Sequence, residues 1–133
     1  MKYFTIKELC ESTTAKAYGI TNHFISATVA DNLVRLVDNV LDPLRTAYGK
    51  PIKVSSGYRC EKLNRLVGGV TNSDHLLGMA ADLDLGSKEE NKKLFQLVIK
   101  LKLPFKQLIN EHNYDWVHIS FDKNNVKMQT INL

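Results

Sequence analysis

The 133-residue sequence contains little cysteine and no long hydrophobic run, and each of these absences removes a class of protein. Its two cysteines, Cys10 and Cys60, lie far apart and form no Cys-x-x-Cys pair, which argues against a disulfide framework or a zinc ribbon. No apolar stretch is long enough for a membrane span or a signal peptide, so we expect synthesis in the cytoplasm. Repeats and low-complexity segments are also missing. The length then predicts one globular domain, residues 1–133.

The charge balance is only weakly basic. Eighteen Lys and Arg residues against fourteen Asp and Glu residues give a formal charge of +4. Such an excess would suit an anionic partner, either nucleic acid or a cell-wall polymer. The lysines of residues 100–106 alternate with Leu, Pro and Phe, and those of residues 88–93 are offset by two glutamates, which is typical of a solvated helix face. We therefore expect no nucleic-acid partner.

Hydrophobic periodicity and capping residues predict an α+β domain in which helices pack against a mainly antiparallel sheet. Thr5 and Glu8 form a capping box at the start of the first helix, and a turn-rich connection follows it. Pro43 is expected to kink or break the long second helix, residues 26–48. The last two strands are expected to be joined through a Lys-Asn-Asn turn. Helices are predicted from Thr5 and over residues 26–48, 60–67 and 88–102, and strands over residues 51–57, 80–85, 105–111, 116–122 and 126–133.

The segment SDHLLGMAADLDL, residues 73–85, holds an imidazole and a carboxylate, His75 and Asp82, six residues apart. One interpretation is a metal site, because both groups are good zinc ligands; the other is a turn before a strand with solvated side chains. A zinc enzyme needs three protein ligands, so the pair alone is insufficient. In YDWVHISF the two-residue period directs Trp116 and His118 away from the core. Two neighbouring strands could then aim Asp82 and His118 at one point, with His75 closing from the loop.

A proton shuttle close to the ion is the remaining requirement of a hydrolase. Asp115, three residues before His118, is the candidate general base, because a carboxylate at the entry of the strand could reach the reacting water. The alternative is an exposed turn aspartate, since turns favour this residue. Glu111 is a second acid in the region and the fallback if Asp115 points away. His23 and His112 have no matching partner and are expected in surface or loop roles.

These residues together resemble the zinc D-alanyl-D-alanine carboxypeptidases, with the related D-Ala-D-Ala dipeptidases and phage L-alanyl-D-glutamate endopeptidases. The likeness rests on a Ser-x-His-x-x-Gly-x-Ala-x-Asp motif that begins at Ser73 and on the run Asp115-Trp116-Val117-His118. The resemblance implies an α+β fold of the Hedgehog and D-Ala-D-Ala-peptidase type. It also implies one zinc ion per chain, bound by His75, Asp82 and His118.

The same resemblance implies roles for the other site residues. Asp115 would act as the base and then as the general acid, Arg59 would hold a substrate carboxylate or carbonyl, and Ser73 would hydrogen-bond the substrate. Trp116 is expected to form a wall of the cleft. Many family members carry Glu where this chain has Asp115, although members with Asp are familiar.

The function that the resemblance implies is hydrolysis of a peptide bond in peptidoglycan stem peptides containing D-amino acids. Carboxypeptidase and endolysin-type endopeptidase both remain open, and so does the bond: D-Ala-D-Ala, a cross-link or L-Ala-D-Glu. We expect a monomer that acts on the cell wall after release, as a phage or prophage lysis enzyme would. The alternative is a non-catalytic, zinc-containing module that binds cell-wall peptides.

Overall fold

The computed structural model describes residues 1–133, and its centre is a five-stranded sheet. The strands are β1 (Val54–Ser56), β2 (Ala80–Leu83), β3 (Gln107–Glu111), β4 (Trp116–Ser120) and β5 (Gln129–Asn132). They lie in the order β1-β2-β4-β3-β5, and every neighbouring pair is antiparallel except β3 and β5. The mainly antiparallel sheet predicted from the sequence is confirmed.

Six α-helices accompany the sheet, and four of them begin at a residue whose side chain caps the helix. They are α1 (Ile6–Cys10), α2 (Thr13–Ala17), α3 (Ala27–Leu36), α4 (Asp42–Tyr48), α5 (Glu61–Leu66) and α6 (Lys88–Lys100). Thr5, Ser26 and Ser87 each accept a backbone N–H three residues further on, at 3.1 Å, as N-caps of α1, α3 and α6. None of the helices has the length and hydropathy needed to cross a bilayer.

Helix α2 lies where the sequence predicted only a turn-rich connection. Ser12 caps it by accepting the N–H of Ala15 at 3.0 Å, and Ala15 is buried. A five-residue helix with one buried position leaves almost no periodic signal, which explains why the pattern did not predict it.

Pro43 neither breaks the long helix nor ends it. Helices α3 and α4 are joined by a π-helical turn, Val37–Leu41, in which the N–H of Asp42 donates to the carbonyl of Val37 five residues back. Proline removes one N–H and crowds the carbonyl four residues earlier, so a locally wider turn lets the chain continue as a helix. Gly49, in the left-handed conformation, ends α4.

The last strand pairs differently from the prediction. β4 is flanked by β2 on one side and β3 on the other, so it offers no free edge to the segment that follows it. β5 instead crosses to the outer edge of β3 and pairs in parallel, with Leu108 opposite Thr130. The expected hairpin between the last two strands is therefore wrong.

The sheet has one apolar face and one polar face, and this difference positions the site. Val117 and Ile119 on β4 are fully buried in a cluster of 21 core residues shared with the helices. Their neighbours Trp116 and His118 point to the other face and line an open cleft. The cleft, rather than the core, is where the candidate chemistry lies.

Candidate metal centre

The three side chains predicted to bind a metal ion lie close together in the structure. Asp82 on β2 lies directly opposite His118 on β4 in the strand register, and His75 lies in a short 3-10 turn, Asp74–Leu77, that leads into β2. Asp82 Oδ1 is 2.9 Å from His118 Nδ1 and 3.3 Å from His75 Nε2. One donor atom from each residue lies within 4.8 Å of the others. This spacing is close enough for one ion to contact all three.

His75 is buried and held by the backbone. Its Nδ1 donates to the carbonyl oxygen of Gly57 at 2.7 Å, so Nε2 is the nitrogen that faces Asp82. A fixed partner on one ring nitrogen sets the orientation of the other, as is usual for histidines that bind metals. Ser73 accepts the backbone N–H of His75 at 3.2 Å and so caps the turn. Gly78, with φ 72°, ends the turn so close to Val29 that a Cβ there would lie 2.8 Å from the Val29 oxygen.

Arg59 fixes the second oxygen of the central carboxylate. Its Nη2 lies 3.2 Å from Asp82 Oδ2, while Oδ1 faces the two histidines. Its Nε donates to Ser56 Oγ at 2.9 Å and its Nη1 donates to Asn64 Oδ1 at 3.3 Å. Arg59 thus lies in the cleft, and part of its guanidinium holds Asp82 in place.

The surroundings keep Asp82 ionised. Burial by itself raises the pKa of this carboxyl, but hydrogen bonds with His118 and His75, together with their charge, outweigh burial and hold the pKa well below its usual range. An ionised carboxylate and two imidazole nitrogens are a donor set that suits Zn²⁺. The residues present therefore fit a zinc ion.

The cleft around these ligands has a volume of about 650 Å³ and is mostly polar. Three of the residues predicted to contact substrate, Arg59, Ser73 and Trp116, line it. Glu111 lines it as well, is half-buried, and has no ion-pair or hydrogen-bond partner for its carboxylate. The structure thus brings one free acid into the space that contains the candidate ligands.

Asp115 does not lie in this cleft. Its carboxylate is about half exposed and pairs with the ammonium of Lys88, over a separate hollow lined by Asn91 and Tyr114. Asp115 lies in the turn that precedes β4, and its ion pair with Lys88 at the start of α6 holds its carboxylate outside the cleft. The structure places Asp115 beside Trp116 but not in the cleft that contains the three candidate metal ligands.

The alternation of two paired strands was the signal that would have indicated Glu111. Glu111 on β3 is the register partner of Trp116 on β4, and Ile109 is the partner of His118. Register partners share a face, so the hairpin pairing alone directs Glu111 toward the metal ligands.

The two remaining histidines are exposed and lie outside the cluster. The ring of His112 lies 5.1 Å from that of Trp116, and the ring of His23 lies 4.7 Å from that of Phe24. Neither is among the residues that could hold a metal ion together.

Sequence comparison identifies the family to which this site belongs. The profile described as Peptidase M15 matches residues 2–120. The chain belongs to the peptidase M15 family. Over 49 residues, 36% of this chain, it is 49% identical to the zinc D-Ala-D-Ala carboxypeptidase of Streptomyces albus G, and the match spans 19% of that relative's length. The resemblance inferred from the two motifs is confirmed at the level of the family.

Proposed function

We propose that this M15 peptidase is zinc-dependent and hydrolyses a peptide bond in peptidoglycan stem peptides that contain D-amino acids. The observation that carries the proposal is the His75, Asp82 and His118 cluster at the base of an open cleft, with donor atoms within 4.8 Å of one another. The similarity to a relative named for D-Ala-D-Ala cleavage supports the substrate class. Three protein ligands also leave room for one more at a tetrahedral ion, as catalytic zinc sites require.

A zinc ion bound by these three residues would supply Lewis acidity toward a scissile carbonyl and toward water. The protein must then accept a proton from the attacking water and deliver it to the leaving amine. Glu111 is suited to both steps, since its carboxylate lines the cleft and is free of partners. Trp116, beside it, would form an apolar wall for the peptide.

Asp115 is the base that the family motif predicts, but the contacts that Asp115 makes favour Glu111 as the base. A carboxylate that is paired with an ammonium outside the cleft is not placed to contact a water molecule beside the candidate metal ligands. Lys88 pairs with Asp115, whereas Glu111 lines the cleft and has no ion-pair partner. We therefore assign the proton transfers to Glu111.

Arg59 retains donors for a substrate. Its guanidinium carries five N–H groups, and its three protein partners, Ser56, Asn64 and Asp82, use one each. The remaining N–H groups would bind a substrate carbonyl or carboxylate in the cleft. Ser73 would add a hydrogen bond near the metal.

In this proposal residues 1–133 form one zinc-binding domain, and the protein is a monomer. It would act on the cell wall after release, as a phage or prophage lysis enzyme does. Whether the chain is a carboxypeptidase or an endopeptidase is decided by its products. A carboxypeptidase releases one terminal residue, whereas an endopeptidase divides the stem peptide internally.

Digestion of purified muropeptides by the zinc-loaded protein, followed by mass spectrometry, tests the function and the base together. We expect Glu111→Gln to keep zinc but to lower turnover by about 10²–10⁴-fold, the usual contribution of a general base. Asp115→Asn, the matched control, keeps the Oδ1 acceptor for Lys88 and should keep most of the activity. The reverse result would return the role of base to Asp115. Muropeptide binding without cleavage by the wild type would indicate a binding module instead.

A further inference from the structure

The turn between β3 and β4 has an unusual backbone. His112, Asn113 and Tyr114 have successive φ angles of 49°, 55° and 65°, and none of them is glycine. The left-handed region is unfavourable for L-residues because Cβ crowds the following carbonyl oxygen. Three such residues in a row persist only where surrounding contacts hold them, and residues of this kind cluster near functional sites.

Lys88, the first residue of α6, supplies one set of these contacts. Its ammonium donates to the carbonyl oxygens of His112 at 3.2 Å and Asn113 at 3.1 Å, and it pairs with the carboxylate of Asp115. One side chain thus binds three groups of a single turn. A point charge with three donors is well matched to that arrangement.

Asn91, one helical turn further along α6, holds the other end of the turn. Its Nδ2 donates to the carbonyl oxygens of Tyr114 at 3.0 Å and Asp115 at 3.1 Å, and its side chain is almost fully buried. Its Oδ1 accepts the N–H of Leu85 at 2.8 Å, and Asp84 also accepts from Nδ2 at 3.1 Å. Asn91 therefore ties the turn to the loop that follows β2, the strand of the ligand Asp82.

The turn is flanked by two residues that line the cleft. Glu111 immediately precedes it and Trp116 closely follows it, and they are register partners that both line the cleft. His118 lies two residues beyond Trp116 on the same strand face. Any relaxation of the turn would therefore move Glu111 and Trp116 relative to the metal ligands.

We propose that Lys88 and Asn91 are positioning residues that hold the left-handed turn and thereby set Glu111 and Trp116 against the metal centre. This inference rests on the proposed function, because it takes Glu111 as the acting group. It also gives Asp115 a purpose apart from catalysis, as the anionic partner that keeps Lys88 over the turn.

The test compares Lys88→Met with Lys88→Arg in the full-length, zinc-loaded protein, using muropeptides as substrate. Lys100→Met, an exposed lysine at the far end of α6, is the matched control. We expect Lys88→Met to lower kcat by about 10- to 100-fold, as a displaced catalytic group does, with KM and zinc content close to those of the wild type. Lys88→Arg should restore most of kcat, because it keeps a cationic donor.

A spectroscopic measurement separates positioning from general damage. Trp116 is the one tryptophan in the sequence, so its fluorescence reports on the end of the turn. We expect Lys88→Met to shift the emission and Lys88→Arg and Lys100→Met to leave it unchanged. Should Lys88→Met not fold, Lys88→Gln takes its place with the same expectations.

Unchanged kcat and unchanged Trp116 emission in Lys88→Met would overturn the inference. So would an equal loss of kcat in Lys88→Met and Lys100→Met. Failure of the proposed function would give a different result, because the wild type would cleave no muropeptide. The emission of Trp116 needs no substrate and would still test whether Lys88 holds the turn.

Discussion

Replacing Gly57 with alanine should disturb both the fold and the metal centre, although Gly57 binds no metal itself. A Cβ at this position would lie 3.0 Å from the carbonyl carbon of Leu9 and closer still to its oxygen, and both atoms are backbone. The Leu9 oxygen accepts the N–H of Tyr58 at 2.8 Å. The carbonyl of Gly57 itself accepts from His75 Nδ1 at 2.7 Å. One methyl group therefore pushes apart two segments whose contact orients a candidate ligand.

The expected magnitude follows from these contacts. Overpacking against atoms that cannot rotate away costs about 1–3 kcal/mol, and weakening the Leu9–Tyr58 hydrogen bond adds about 1 kcal/mol. The free energy of unfolding should fall by about 2–4 kcal/mol, which corresponds to a decrease in Tm of roughly 6–20 °C for a chain of this size. Displacement of the group that orients His75 should weaken zinc binding by about 10–100-fold.

Thermal unfolding followed by circular dichroism, and zinc titration against a competing chelator, measure the two effects. Gly19→Ala is the control: Gly19 has φ 64° but nothing within 4 Å of an added Cβ, so this variant should lose stability without losing zinc affinity. The reasoning would be refuted if Gly57→Ala had the Tm and zinc affinity of the wild type. It would also be refuted if both glycine variants weakened zinc binding equally.

Three further predictions follow from other contacts. Asn22→Ala should lower the free energy of unfolding, measured in urea, by about 2–4 kcal/mol. The buried amide of Asn22 donates to the carbonyl oxygens of Cys10 and Tyr58 and accepts the N–H of Cys60. An unchanged urea midpoint would contradict this prediction. Burial, aided by a nearby glutamate, raises the pKa of the Cys10 thiol, so its thiolate forms only at higher pH. Iodoacetamide at pH 8 should therefore modify Cys60 first in intact-mass spectra, and early modification of Cys10 would be the contrary result. Removal of zinc with a chelator should leave the chain folded, since the core contains none of the three candidate ligands. Zinc at about 100 times its Kd should raise the free energy of unfolding by about 2.7 kcal/mol. Unfolding of the chain on chelation would contradict this prediction.

The three candidate ligands could be predicted from the sequence because each is identified by its residue type and by residues close to it in the chain. Asp82 and His118 occupy alternating strands, and His75 follows a capping serine, so residue type and spacing suffice to select them. The helix caps at Thr5, Ser26 and Ser87 were predictable for the same reason. For the helix caps, the determining hydrogen bond spans three residues.

The features that escaped prediction depend on partners distant in sequence. The pairing of β5 with β3 follows from the lack of a free edge on β4. Asp115 satisfied a spacing rule, yet Lys88, 27 residues away, pairs with it outside the cleft. Spacing along one strand carries no information about such a partner.

Zinc content is the measurement that tests the central claim most directly. Elemental analysis of the wild type and of His118→Ala, both purified without chelator or metal-binding tag, should find about one zinc per chain in the wild type and little in the variant, since two remaining ligands hold the ion weakly. Lys100→Met should match the wild type. A wild-type protein that contains no zinc and takes none up when zinc is added would contradict the account.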